Sequence, residues 1–170
     1  SKDEVSKGKM KTVPIAVWEG EDLLGVNEVA PSLTIILRTI GCTAQRCFMC
    51  GFRVNASRVP VTEDELLSQF DAAMKKCPQG AIVKIYTSGS FFDSDEIPVG
   101  ARKKMLDKLA KDERVEKVIV ETLPEFVSKE NLADAAQIKR FEIAVGLETS
   151  DDFIRRRCMR WPGRGTSGSI

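Results

Sequence analysis

Apolar residues recur along this chain with two different periods. Residues 33–39, 81–87, 115–122 and 141–147 are short apolar runs rich in β-branched residues, the pattern of strands buried in a sheet. Helical spacing takes over between them. Over residues 62–76, Leu66, Leu67, Phe70, Ala73 and Met74 fall on one stripe. Thr62 and Glu65 form a capping box at its start, Glu63 and Asp64 complement the helix dipole, and Cys77-Pro78-Gln79-Gly80 stops it. Residues 99–111 present Met105, Leu106 and Leu109 on a second helix. Ser128 caps a third, running through Gln137 with Leu132 and Ala136 inward, and residues 151–157 open a fourth.

Strand, loop and helix thus alternate four times, which predicts an α/β fold of parallel strands joined by right-handed crossovers. In such folds chemistry gathers at the carboxyl ends of the strands. The unusual residues of this chain lie there: three cysteines, Ser88-Gly89-Ser90, Glu121 and Glu148. Residues 12–18 are a short apolar segment expected to pair at an edge or pack across the barrel's base. Pro14 argues against a central strand there. Residues 20–32 are expected to be a connecting loop.

Length and composition suit one core domain, residues 12–158, between a flexible tail at 1–11 and an irregular tail at 159–170. The latter, rich in Gly, Ser, Arg and Pro, lacks hydrophobic periodicity and is expected to mark a truncation. The net charge of +1 gives no global basic field, so nucleic-acid binding would need a local patch or a partner. No apolar run approaches membrane-spanning length and no secretory signal is visible, so no membrane partner and a cytoplasmic setting are expected.

Cys42, Cys47 and Cys50 are three of the five cysteines, spaced C-x4-C-x2-C directly after the first strong strand. Gly41 and Gly51 flank them, as turns into and out of the loop. Three thiolates on one loop can hold a four-iron cluster and leave one iron open to a ligand. Zinc is the rival, because C-x2-C is a common half-site. A closed zinc site needs a fourth ligand, yet the chain has no histidine, and Cys77 and Cys158 stand alone. Cys77 is expected at a helix end rather than at a metal. The odd cysteine count argues against a disulfide framework.

TIILRTIGCTAQRCFMCGF resembles the cluster loop of radical S-adenosylmethionine (SAM) enzymes, with one residue more than their usual C-x3-C-x2-C in the first gap. Together with YTSGSFFD, ETLPEFV and VGLETSDDFIRRR it resembles, more narrowly, the archaeosine-biosynthesis members, relatives of the radical SAM domain of the Elongator catalytic subunit. The resemblance runs from about Trp18 to Cys158. It implies a partial TIM-like radical SAM barrel, with about four parallel strands present of the usual six.

The resemblance also assigns roles. Cys42, Cys47 and Cys50 would bind the 4Fe–4S cluster, and its open iron would take the amino and carboxylate groups of SAM. Phe48 would stack beside the adenine or shield the cluster. Ser88, Gly89 and Ser90 stand where the family has Gly-Gly-Glu, at the methionyl ammonium of SAM, here without the acidic residue. Glu148 would contact the ribose, Glu121 the substrate or SAM, and Arg155 the SAM carboxylate. A Gly-Ser turn, a helix cap and a solvated basic face remain open as the plain readings of these residues. The implied activity is cleavage of a lysine-modified deazaguanine base in tRNA to the formamidine. The implied partners are tRNA, a lysine-transferring archaeosine synthase subunit and an electron donor. An Elongator-like enzyme with another substrate, or a non-catalytic zinc-binding module, are the alternatives.

Overall fold

The computed structural model describes residues 11–43, 47, 50–57, 59–146 and 149–158. Five strands form one sheet in sequential order: β1 (Ala16–Gly25), β2 (Glu28–Ile36), β3 (Ala81–Tyr86), β4 (Val115–Thr122) and β5 (Phe141–Val145). β2 to β5 run parallel, the four strands expected, and α1 (Glu63–Met74), α2 (Val99–Lys111) and α3 (Lys129–Ala133) lie in the crossovers between them. A fourth helix, α4 (Asp152–Cys158), follows β5. The fold is a partial α/β barrel.

Alternation along the strands separates two faces. Leu33, Ile35, Ala81, Val83, Ile85, Val118 and Val120 are buried in one cluster with Leu66, Phe70 and Met74 of α1 and Met105, Leu106 and Leu109 of α2. Burying each of these larger side chains contributes about 1.5–3 kcal/mol. The start of α1 follows its local signal: Thr62 Oγ1 accepts from the Glu65 amide, and the Glu65 carboxylate accepts from the Thr62 amide. A cap of this kind is worth about 1 kcal/mol.

The other face, which a closed barrel turns toward its lumen, mixes Ile82 and Ile119 with Ser32, Thr34, Lys84 and Lys117. The register aligns Thr34 with Lys84, and Ile82 with Lys117. Lys84 bonds Asp22 of β1 at 2.7 Å, and Lys117 pairs with Glu142 of β5 at 2.5 Å. Lys117 also donates to the Leu23 carbonyl at 3.3 Å, although β1 and β4 are not neighbours in the sheet. The end of β1 therefore crosses the sheet.

Residues 20–32 form most of an antiparallel hairpin rather than a connecting loop. Asn27 turns it at φ 60°, and a register shift between Leu23 and Gly25 accommodates the turn. Pro31 is tolerated because the parallel ladder to β3 begins only at Ser32. Of the two placements expected for the apolar segment before it, the structure shows the first: Ala16–Trp18 pairs at the edge beside the carboxyl end of β2, and it is Leu23, at the far end of the strand, that reaches over the base.

α3 also differs from expectation. Ser128 caps it, accepting from the Asn131 amide, but the helix ends at Ala133. Ala135 is the buried residue, while Leu132 and Ala136 are exposed. Among the described residues no helix is long and apolar enough to cross a membrane.

Candidate functional site

The carboxyl ends of β2, β3 and β4 carry the unusual residues side by side. The exit of β2 is held by a buried amide: Gln69 of α1 accepts from the Arg38 amide at 2.7 Å and donates to the Arg38 carbonyl at 2.9 Å. Gly41 then takes φ 100°, a conformation that favours glycine, and opens the cysteine loop. Gly51 has φ −87°, so the turn out of the loop makes no such demand. The returning chain is pinned by Ser57, whose amide donates to the Thr39 carbonyl at 2.7 Å, and by Arg38 on the Asn55 carbonyl.

Cys42, Cys47 and Cys50 are half-buried and none is in a disulfide. The Cys50 amide donates to the Cys47 carbonyl at 3.2 Å, a local turn within the C-x2-C segment. Yet among the described residues no three His, Cys, Asp or Glu side chains are gathered as a metal-holding group. The loop thus brings three thiols to the carboxyl end of β2 without a preformed trio. Cys77 is buried at the end of α1, where burial pushes its thiol up from its ordinary value. Among the described residues no metal-holding set involves it.

The turn after β3 is built more tightly. Thr87, Ser88 and Ser90 are buried, and the Gly89 amide donates to Thr87 Oγ1 at 3.2 Å. Ser90 Oγ hydrogen-bonds Thr122 Oγ1 and accepts from the Leu123 amide, tying the turn to the end of β4. Ser88 Oγ is buried and has no hydrogen-bond partner in the structure. A buried hydroxyl without a partner is costly, and a polar ligand group would satisfy it.

Gly89 is where the two loops meet. A Cβ on it would stand 2.7 Å from Cys42 Cα, 2.8 Å from Cys42 Cβ and 2.6 Å from Glu96 Oε2. Only glycine fits. This contact is the structural reason for the glycine, and it joins the cysteine loop to the turn proposed for SAM.

Glu96 is the residue that sequence reasoning missed. It is 2% exposed, and its carboxylate accepts from Thr39 Oγ1 at 2.6 Å, the Ser88 amide at 3.1 Å and the Ser90 amide at 2.6 Å. Burial pushes the carboxyl above its ordinary 4.5, with the neighbouring Asp93 charge adding to it, while the bonds from Thr39 and Ser90 pull it down. Asp93 takes a second tie, accepting from Thr43 Oγ1 at 2.8 Å beside Cys42. The only signal in the sequence was three acids in the run DSDEIP after a Phe-Phe pair.

The remaining sequence-predicted residues lie as follows. Glu121 is half-buried near the end of β4, on the face away from the helices, and its carbonyl accepts from the Phe91 amide. Arg155 bonds the Asp152 carboxylate and the Thr149 carbonyl at the start of α4. Phe48 and Glu148 lie outside the described residues.

No known family profile matches the chain. Over 152 residues, 84% of its length, it is 42% identical to archaeosine synthase subunit beta of Methanosarcina acetivorans. A protein of the same description from Thermococcus kodakarensis is 34% identical over 147 residues, 81% of the chain. The chain spans less than half of these two relatives, 43% and 45%. Among solved structures, the queuine lyase from Clostridium spiroforme bound to SAM and queuine matches with a TM-score of 0.61. That match covers 81% of the chain and 56% of the lyase at 19% identity, a likeness of fold.

Proposed function

We propose that this chain, a homologue of archaeosine synthase subunit beta over the part it spans, is the SAM-binding half of a radical enzyme of archaeosine biosynthesis. In this reading Cys42, Cys47 and Cys50 hold a 4Fe–4S cluster. Binding the metal would itself draw the three thiolates together, since metal binding and local order are coupled. When bound, the cluster and SAM supply a one-electron cleavage that yields a 5′-deoxyadenosyl radical.

The chain's own residues do the placing. Ser88 Oγ offers a buried hydroxyl to the methionyl end of SAM, and the glycine at 89 lets that turn lie directly against Cys42. Ser90 is already engaged with Thr122 and Leu123, so it shapes the turn rather than reaching the ligand. The same holds for Arg155, whose bonds to Asp152 and Thr149 serve α4. Phe48, Glu121 and Glu148 keep their assigned roles beside the adenine, the substrate and the ribose.

The observation that supports this reading best is the contact of Gly89 with Cys42, which puts cluster donors and SAM turn at adjoining strand ends. The relatives' description, archaeosine synthase subunit beta, supports a role in archaeosine formation and a subunit partner in general; the lysine-modified deazaguanine in tRNA, the lysine-transferring subunit and the electron donor are what the motif resemblance implies. Anaerobic reconstitution of the full-length protein should give about four irons with matching sulfide, and 5′-deoxyadenosine should form on adding SAM and a reductant. A colourless protein holding one zinc would overturn the proposal. Product analysis on lysine-modified tRNA tests the substrate: the formamidine supports archaeosine formation, and an unchanged base points to an Elongator-like enzyme.

A further inference from the structure

We infer that Glu96 is a positioning residue, its carboxylate clamping the Thr87–Ser90 turn to the base of the cysteine loop so that both halves of the site keep one spacing. The inference rests on the cluster-and-SAM reading above for what the spacing serves. The clamp itself rests on geometry.

Three donors converge on this one side chain. Thr39 Oγ1 comes from the segment just past β2, and the Ser88 and Ser90 amides come from the turn after β3. Thr39 is itself fully buried, and its hydroxyl oxygen accepts from the Gly41 amide at 3.1 Å, one residue before Cys42. A chain of bonds therefore runs from the Gly41 amide through Thr39 and Glu96 to both sides of Gly89. Bonds to an ionised acceptor are about twice as strong as neutral ones, and a fixed planar carboxylate sets two directions at once.

Glu96 is held in turn. Its own amide and that of Ile97 donate to the Asp93 carbonyl at 3.1 and 2.8 Å, forming the turn that leads into α2. Phe91 and Phe92 are buried beneath it, and Arg102 of α2, 3% exposed, lies over the Phe92 ring and donates to the Phe92 carbonyl. Two residues of that loop bracket the cysteine loop, since Asp93 holds Thr43 as Glu96 holds Thr39. The Gly-Gly-Glu pattern of the family places its acid inside the motif. Here the acid enters the turn from six to eight residues downstream.

Glu96→Gln in the full-length protein keeps the shape but removes the charge and one of the two acceptor oxygens. In the cofactor-free protein, hydrogen exchange at the Ser88 and Ser90 amides should accelerate about tenfold or more, the loss of one charge-assisted bond. After reconstitution the iron content should stay at the wild-type level, while the dissociation constant for SAM rises about tenfold. The SAM-dependent change in the spectrum of the reduced cluster should shrink accordingly. Unchanged exchange at both amides, or unchanged SAM affinity in a folded, iron-loaded Glu96→Gln protein, overturns the inference. If the wild type loads no iron, the functional reading falls, and exchange at the two amides still decides the clamp. Should Glu96→Gln not fold, Thr39→Val removes one arm of the clamp and should shift the same readouts in the same direction, with Thr39→Ser restoring them. A Thr39→Val protein with wild-type exchange and SAM affinity overturns the inference equally.

Discussion

Residues 87–97, after β3, bury Phe91 and Phe92 and tie themselves to neighbouring strand ends through Ser90, Asp93 and Glu96. Residues 39–57, after β2, carry three half-buried cysteines, and the loop is tied to its neighbours through the side chains of Thr39 and Thr43 and through Arg38 on the Asn55 carbonyl. The two loops touch at Gly89 and Cys42. One is organised by the protein's own core; the other is anchored by that first loop and presents three half-buried thiols. Division of labour of this kind is what a cofactor site needs: a rigid wall that fixes position, and a ligating loop whose final arrangement the cofactor completes.

The largest effect should come from breaking the contact itself. Gly89→Ala drives a methyl into the backbone of Cys42 and into Glu96, neither of which is a flexible tip. Urea denaturation should show a loss of about 1–3 kcal/mol, the usual cost of forcing volume into a packed site. A loss below about 0.5 kcal/mol would mean that the wall is not rigid.

Replacing Cys42, Cys47 and Cys50 together by alanine should change the stability of the cofactor-free protein by no more than about 1 kcal/mol, because half-buried side chains away from the core contribute little. The same triple variant should retain no iron after reconstitution. A large loss of stability would show that the cysteine loop is itself part of the scaffold and dissolve the contrast.

The smallest effect is a control at the opposite end of the sheet. The hydrogen bond from Lys84 holds the Asp22 carboxyl below its ordinary 3.8, with the Leu23 amide helping. A carboxyl whose folded pKa is depressed contributes stability above its unfolded pKa, and that contribution is lost as pH falls through the folded value. Urea midpoints measured from about pH 6 to pH 2.5 should therefore drop slightly less for Asp22→Asn than for the wild type below about pH 4. Asp22 is 39% exposed on its side chain, so the difference is small. Its SAM affinity should not move. An Asp22→Asn profile parallel to the wild type would remove Lys84 as the cause.

How much of this could be read beforehand depended on how local each signal was. The capping box of Thr62 and Glu65 involves residues three apart and was legible, as were α2 and β4 to the residue. The parallel strands followed from alternation of strand and helix, and the partial barrel from the family resemblance. The β1–β2 hairpin was hidden because its exposed residues, Glu19, Glu21 and Val26 among them, and its Gly, Asn and Pro blur the two-residue period. α3 stopped short because Leu132 turned out to face solvent. At the site, Cys42 and Ser88-Gly89-Ser90 stood out by residue type and position. Glu96 did not, since an acid in DSDEIP looks solvated and only the packing of Phe91, Phe92 and Thr39 around it makes it a buried acceptor.

The bond from Lys117 to the Leu23 carbonyl joins residues 94 positions apart. It can form only after β2, β3 and β4 have assembled, because β1 reaches β4 by passing over the sheet between them. Long loops must close before such a contact rewards the chain, which slows folding. Sealing of the barrel floor should thus be among the last events as the chain folds, and the first to come undone when it opens.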